Sequence, residues 1–233
     1  MALILSIETS TSVCSAALHQ DGVLITLLEF HLPQSTASKL SLLIEQVFKL
    51  SDRPPLQLSA VAVSAGPGSY TGLRIGVATA KGLCYALNIP LIAVNTLELM
   101  VSQVVSASPT KEENGDVTWL VPMLDARRME VYTLRANSQG QTIEPTEAKI
   151  IDEHSYESWL EKDKVVFFGN GADKCETVIT HGNASFIKGI IPSASKLGEL
   201  AYQKFIKGEL EDLATYEPYY LKDFMVKKPK SLV

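Results

Sequence analysis

Glycines at 66, 68 and 72 mark the point where an apolar run, Leu58 to Val63, gives way to Leu73, Ile75, Val77, Ala78, Ala80 and Leu83. The first run is β-branched at Val61 and Val63 and reads as a buried strand. Glycines let the backbone turn at positive φ and pack closely against a neighbour. Ser64 to Leu87, SAGPGSYTGLRIGVATAKGLCYAL, therefore reads as a strand end, a glycine loop and a helix. That unit points to an α/β protein.

The loop invites a phosphate reading, because N–H groups at a helix N-terminus favour anions. The nucleotide motifs do not match. A P-loop ends in Gly-Lys-Ser/Thr, whereas Gly72 is followed by Leu73 and Arg74. The dinucleotide fingerprint is G-x-G-x-x-G, and here the spacing is G-x-G-x-x-x-G. A tight turn feeding a closely packed helix accounts for the glycines equally well. Along the helix, Gly72, Gly76 and Ala80 recur every fourth residue, with Cys84 next. This seam of small side chains suits close approach by an internal element or by a helix of another chain.

Hydrophobic residues make up 46% of the 233 residues and charged ones 20%, with a formal net charge of −5. Those are ordinary values for a globular chain. They do not supply the basic footprint of a protein that grips nucleic acid alone. Cys14, Cys84 and Cys175 are widely spaced and form no C-x-x-C, so they read as small core residues. No apolar run approaches the roughly 20 residues needed to span a bilayer. A soluble, cytoplasmic chain is expected.

The chain opens with an apolar strand, Ala2 to Ile7, a polar turn at Glu8–Ser12, and a second strand, Val13 to Leu18. Asp21-Gly22 is a hairpin signal leading into Val23 to Phe30. Leu40, Leu43, Ile44, Val47 and Phe48 then fall on one helical face, with Thr36 or Ser38 as N-cap and Pro54-Pro55 as terminator. After the glycine loop and its helix come a short strand, Leu91 to Val94, and a helix capped by Thr96 running to about Val105. Ser106 to Asp116 is polar and reads as a linker. Strands follow at Thr118–Leu124 and Glu130–Arg135, around the turn Asp125-Ala126-Arg127-Arg128. A late helix is expected over Ser193 to Lys207, then an aromatic segment, Tyr216 to Lys222, and a basic end at Lys227, Lys228 and Lys230.

An internal repeat emerges from this order. LSIETSTSVCSAAL and VPMLDARRMEVYTL share the sequence strand, acid, polar turn, strand, so Glu8 stands where Asp125 stands. Val165 to Phe168 followed by Gly169-Asn170-Gly171 repeats Val61 to Gly68. The expected architecture is two related α/β domains, residues 1–105 and 106–233, each a mixed sheet with flanking helices. The terminal helix is a candidate to pack back on the first domain.

A duplicated fold with an acid at each first hairpin tip resembles the actin, sugar-kinase and Hsp70-like (ASKHA) ATPases. More closely, ILSIETSTSVCSAAL, AVSAGPGSYTGLRIGVATAKGLCYALNIPLIAVNTLE and VPMLDARRMEVYT resemble the bacterial TsaB (YeaZ) family. The resemblance runs through most of the chain. It implies a non-catalytic partner of TsaD, the enzyme that attaches threonylcarbamoyl to adenosine 37 of tRNAs reading ANN codons. It implies direct binding to TsaD, with TsaE joining the pair and TsaC acting in the same pathway. Any tRNA contact would be indirect, and a homodimer is expected in isolation. The implied partner surface is a helical bundle carrying Leu40, Leu43, Val47, Gly72, Ile75, Gly76, Thr79, Ala80 and Leu83.

The resemblance also implies that ATP and a metal ion belong to the partner enzymes and that this chain holds no cofactor. TsaD-like proteins carry H-x-x-x-H at the start of the first amphipathic helix, a ligand pair for one metal ion. Here that region reads Pro33 to Leu40 without histidine. His19, His31, His154 and His181 are scattered and read as surface residues. Glu8, Thr9, Ser10, Gly66, Gly68, Asp125, Gly169 and Gly171 would line a vestigial nucleotide site, with Arg127 and Arg128 neutralising Asp125. Two alternatives stay open: an ATPase or small-molecule kinase using Glu8 and Asp125, and a glycoprotease-like peptidase. For the latter, Gly68-Ser69-Tyr70-Thr71-Gly72 lacks the G-x-S-x-G order.

Overall fold

A computed structural model describes residues 1–31, 36–107 and 117–221, with the side chains of 36–38 excepted. The first half contains β1 (Leu3–Glu8), β2 (Cys14–Gln20), β3 (Val23–Phe30), α1 (Thr36–Ser51), β4 (Ala60–Gly66), α2 (Tyr70–Leu87), β5 (Leu91–Asn95) and α3 (Thr96–Ala107). The second contains β6 (Thr118–Asp125), β7 (Glu130–Ala136), β8 (Thr142–Ile150), α4 (Glu157–Leu160), β9 (Lys164–Phe168), α5 (Ala172–Cys175), β10 (Ala184–Ile187) and α6 (Ala194–Lys207).

The sheet orders are β3-β2-β1-β4-β5 and β10-β9-β6-β7-β8. Read from β3 and from β8, they are the same topology. β1 is antiparallel to β2 and parallel to β4, as β6 is to β7 and β9. This is the duplicated actin-like α/β fold that the repeated strand–acid–turn–strand pattern anticipates.

The first sheet is covered on both faces, which is why β1 and β4 read as continuous apolar runs. Leu5, Ile7, Val61 and Val63 pack against Leu40, Val47 and Phe48 of α1 and Val77, Ala80 and Cys84 of α2. On the other face Ile4, Ala60, Ala62 and Ile92 meet Leu99 of α3 and Leu197 and Ala201 of α6. The late helix thus completes the first layer. α3 joins the halves: Leu97, Met100, Val101 and Val104 lie against Leu120, Leu124, Leu134 and Phe168 of the second sheet.

The Asp21-Gly22 turn has φ of 51° and 82°, as a tight type I′ hairpin requires. α3 is capped one residue earlier than the sequence suggests. Asn95 Oδ1 accepts from the N–H groups of Leu97 (2.8 Å) and Glu98 (3.3 Å), while the Thr96 hydroxyl is buried without a partner. The strand β8 carries no strong sequence signal. It contains Pro145 and lies at a sheet edge, where proline is tolerated. α5 is a single turn, far shorter than α2, which follows the glycine loop of the first half.

On the second sheet the Arg135 guanidinium is sandwiched 4.5 Å from Trp119 and 4.3 Å from Trp159, which fastens α4 to the strands. After α6 the chain returns along the first half. Glu211 N–H donates to Leu91 O (2.9 Å), and Tyr219 N–H donates to Ala65 O (2.7 Å). The proposed N-caps Thr36 and Ser38, most of the linker and the terminal lysines fall outside the described residues or side chains. No described helix is long and apolar enough to cross a membrane.

Candidate functional site

In each half, the glycine loop closes on the tip of that half's first hairpin. A Cβ on Gly68 would stand 2.4 Å from Ser10 O, and one on Gly72 would stand 2.0 Å from Thr9 O. The Thr9 hydroxyl donates to Gly72 O at 2.8 Å, and Ser69 N–H donates to Ser10 O at 2.6 Å. In the second half a Cβ on Gly171 would stand 2.8 Å from the Leu124 carbonyl carbon, and one on Gly169 would stand 2.4 Å from Met123 O. Glu8, Thr9, Ser10, Gly66 and Gly68 are therefore assembled at one place, and Asp125, Gly169 and Gly171 at the equivalent place. The space that Gly68, Gly72 and Gly171 open is filled by the chain's own hairpin tips.

Ser69 is the N-cap of α2, accepting from Gly72 N–H at 3.2 Å. That role explains its place in the loop without a nucleophile. Gly66 faces the returning tail: at φ 107°, a Cβ there would lie 2.8 Å from Tyr219 O. The Tyr220 ring lies tilted 4.9 Å from the Tyr70 ring, and the Arg74 guanidinium lies 4.8 Å from Tyr70. No sequence signal marks Tyr219 as the residue that seals the loop.

The two acids differ. Glu8 is fully buried; its Oε1 accepts from Ser10 N–H at 2.5 Å and its Oε2 has no hydrogen-bond partner. The Ser10 and Ser64 hydroxyl oxygens are buried without a partner beside it. Burial pushes the Glu8 carboxyl above the ordinary carboxylate range, and these serines act against that rise. Asp125 is half-exposed and ion-paired to Lys174, whose ammonium also donates to Arg128 O and Glu130 O at 2.6 Å. Lys174 therefore does what Arg127 and Arg128 were expected to do. Those arginines sit in left-handed turn conformations at φ 71° and 49°, and Arg127 gives Asp125 its backbone N–H. Lys174 lies on the one-turn α5, and nothing in its sequence context distinguishes it.

The expected partner surface needs a larger correction. Leu40, Leu43 and Val47 are buried in the core between α1 and the first sheet. Gly72, Gly76 and Ala80 are buried too, and a Cβ on Gly76 would stand 2.3 Å from Thr9 Oγ1. The small-residue seam is internal: it lets α2 press onto the β1–β2 turn. Ile75, Thr79 and Leu83 are half-buried at its border. The outward face of α2 is Arg74, Ala78, Gly82, Tyr85 and Ala86, and a Cβ on Gly82 would meet open space. A second every-fourth-residue stripe, Ala78–Gly82–Ala86, carries the exposed surface. It was legible in the sequence but shadowed by the glycine-richer seam.

Nor is every histidine on the surface. His19 is buried under α6, with Nδ1 3.3 Å from Ser6 Oγ and Nε2 3.0 Å from Ser195 O. Gly198 makes room for it. Desolvation lowers its pKa.

Residues 34–229 match the sequence profile of TsaD, tRNA N6-adenosine threonylcarbamoyltransferase. The chain is 29% identical over 226 residues to the tRNA threonylcarbamoyladenosine biosynthesis protein TsaB of Escherichia coli strain K12, covering 94% of each chain. It is 30% identical over 224 residues to the protein of the same name in Bacillus subtilis strain 168, covering 94% of this chain and 93% of that one. A tRNA N6-adenosine threonylcarbamoyltransferase of Geotalea daltonii is 30% identical over 125 residues, 47% of this chain and 37% of that one. The solved YeaZ structure from Pseudomonas aeruginosa superposes with a TM-score of 0.78 at 24% identity, covering 95% of this chain and all of that one. Matched over 94% of its length by a TsaB protein 30% identical to it, and sharing the YeaZ fold, this chain belongs to the TsaB (YeaZ) family.

Proposed function

We propose that the chain is a non-catalytic partner of a TsaD-type threonylcarbamoyltransferase in the formation of threonylcarbamoyladenosine at position 37 of tRNAs reading ANN codons. The observation that supports this most is the filling of both hairpin tips. Thr9 and Ser10 occupy the cradle of Gly68, Gly72 and Gly76, and the Lys174 ammonium sits on Asp125. A nucleotide phosphate or a metal ion would have to displace these groups. ATP turnover and metal binding then fall to the partner enzymes, with TsaE joining the pair and TsaC supplying the activated threonylcarbamoyl group. Contact with tRNA is indirect, and in isolation the same surface self-associates.

The docking surface is the outward face of α2, where Ala78, Gly82 and Ala86 let a partner helix approach closely and Tyr85 stands 83% exposed. Leu42 of α1 is 47% exposed and adds apolar area. Small side chains at a helix contact permit short interaxial distances. The test is co-sedimentation of the chain with TsaD. Gly82→Arg, on the open face, should abolish association while leaving the melting temperature within a few degrees of wild type. Association that survives Gly82→Arg would move the partner surface elsewhere.

A further inference from the structure

α6 ends at Gly208, where φ is 73° and a Cβ would meet open space. From Glu209 to Leu221 the chain belongs to no named helix or strand and runs back over the first half. Asp212 builds a turn within this segment. Its Oδ1 accepts from the N–H groups of Ala214 and Thr215, each at 2.9 Å, and its carbonyl accepts from Tyr216 N–H at 2.9 Å. The turn is closed by its own sequence neighbours and does not need the body beneath it.

The segment meets that body through separate contacts. Glu211 bridges Leu91, and Tyr219 N–H donates to Ala65 O at 2.7 Å. Between them, Lys81 of α2 sends its ammonium to Ala214 O (3.3 Å) and Tyr216 O (3.1 Å). Leu213 and Tyr216 pack against the first core. Beyond Tyr219, the Tyr220 ring reaches Tyr70. Tyr70, Arg74 and Lys81 fall on one flank of α2, and the segment covers that flank.

The hold is uneven. An ammonium donating to two carbonyls is a strong pin. The Tyr216 hydroxyl, however, is buried with no partner, a penalty that lasts only while the segment is seated. Asp212, Ala214, Thr215, Glu217 and Tyr219 are exposed, so little apolar area is buried between the anchors. α2 itself is seated differently, with Gly72 and Gly76 pressed against Thr9. A segment with few buried apolar contacts opens before the core does.

We propose that Glu209 to Leu221 form a strap, hinged at Gly208 and pinned by Lys81, that opens as one unit while α2 and the first sheet stay folded. Opening releases the Lys81 ammonium and uncovers the seats of Leu213 and Tyr216 along the Tyr70–Arg74 flank. The strap is thus a switch for the border of the face that α2 turns outward. Its opening does not depend on what docks on that face.

The experiment is residue-resolved amide hydrogen exchange on the full chain. The Glu211 and Tyr219 amides should exchange with matched protection, about a hundredfold less than the slowest amides of β1 and β4, and with little dependence on urea. Lys81→Met keeps most of the stem and removes the pin. It should speed both amides by one common factor of about tenfold. Tyr216→Phe removes the unpartnered hydroxyl and should slow both by about fivefold. Should Lys81→Met fail to fold, Tyr216→Phe carries the test alone, with the opposite sign. Three results would overturn the proposal. Protection at Glu211 and Tyr219 equal to that of β1 and β4 would mean that the strap leaves only when the whole fold does. Different factors at the two amides would mean that the contacts open singly. No change in either variant would mean that neither Lys81 nor Tyr216 governs the closed state.

Discussion

Gly76 sits against Thr9 so closely that a Cβ would stand 2.3 Å from the threonine Oγ1, whereas a Cβ on Gly82, six residues along the same helix, would touch nothing within 4 Å. Helix propensity treats the two glycines alike, favouring alanine by about 1 kcal/mol. Packing separates them. Gly76→Ala should lose about 1–3 kcal/mol through overpacking. Gly82→Ala should gain about 0.5–1 kcal/mol. Thermal denaturation of the two variants checks both signs. Equal effects would mean that α2 is not seated on the β1–β2 turn.

Glu8 is buried with an unpartnered Oε2, and burial raises its pKa. A carboxyl whose folded pKa exceeds its unfolded value favours folding when protonated and loses that advantage as pH rises through its unfolded and then its folded pKa. Glu8→Gln keeps an acceptor for Ser10 N–H and removes the charge. Its melting temperature should exceed wild type at pH 8, and the difference should shrink at pH 4. A variant equally unstable at both values would show that the charge itself is used in the fold.

His19 shifts in the direction that favours its neutral form. Its folded pKa lies below the unfolded value of about 6.5, so stability is fully present above that value and falls as pH drops through it toward the folded pKa. Urea denaturation at pH 7.5 and 5.0 should show a loss on acidification that His19→Gln reduces. An unchanged pH slope in His19→Gln would assign the loss to other groups.

The thiols of Cys14, Cys84 and Cys175 are all free and buried. Burial pushes the first two up to about 11. Reaction depends on the thiolate and on access. A thiol-disulfide reagent at pH 8 should leave the native chain unlabelled over minutes and label all three sites in denaturant. Rapid native labelling of Cys84 would mean that α2 lifts from the sheet.

The Lys174 ammonium holds Asp125 and two backbone carbonyls together across the β6–β7 turn. Partial exposure limits its worth. Lys174→Met should cost about 0.5–1.5 kcal/mol, the scale of a net hydrogen bond. Chemical denaturation measures it, and a loss several times larger would mean that the turn depends on this one side chain.

Much of the architecture was legible from periodicity alone. The start of β3 follows from the Asp21-Gly22 hairpin signal, and the face of α1 from the spacing of Leu40, Leu43, Ile44, Val47 and Phe48. The repeat of strand, acid and turn gave away the duplication. What the sequence hid depends on three-dimensional neighbours. The Gly72–Gly76–Ala80 seam shows that something approaches α2, but not that Thr9, more than sixty residues earlier, is what approaches. Lys174 meets Asp125 across 49 residues. β8 is an edge strand with a proline, where the hydrophobic pattern fades. A stripe of small residues reports close contact, and only the fold says whether the contact is inside or outside.

The most direct test is formation of threonylcarbamoyladenosine on unmodified tRNA by TsaC, TsaD and TsaE, supplied with threonine, bicarbonate and ATP, with and without this chain. Product should appear only when the chain is present, and a folded Glu8→Gln/Asp125→Asn double variant should support it at the wild-type rate. Product formed equally well in its absence, or lost with the folded double variant, would contradict a non-catalytic partnership.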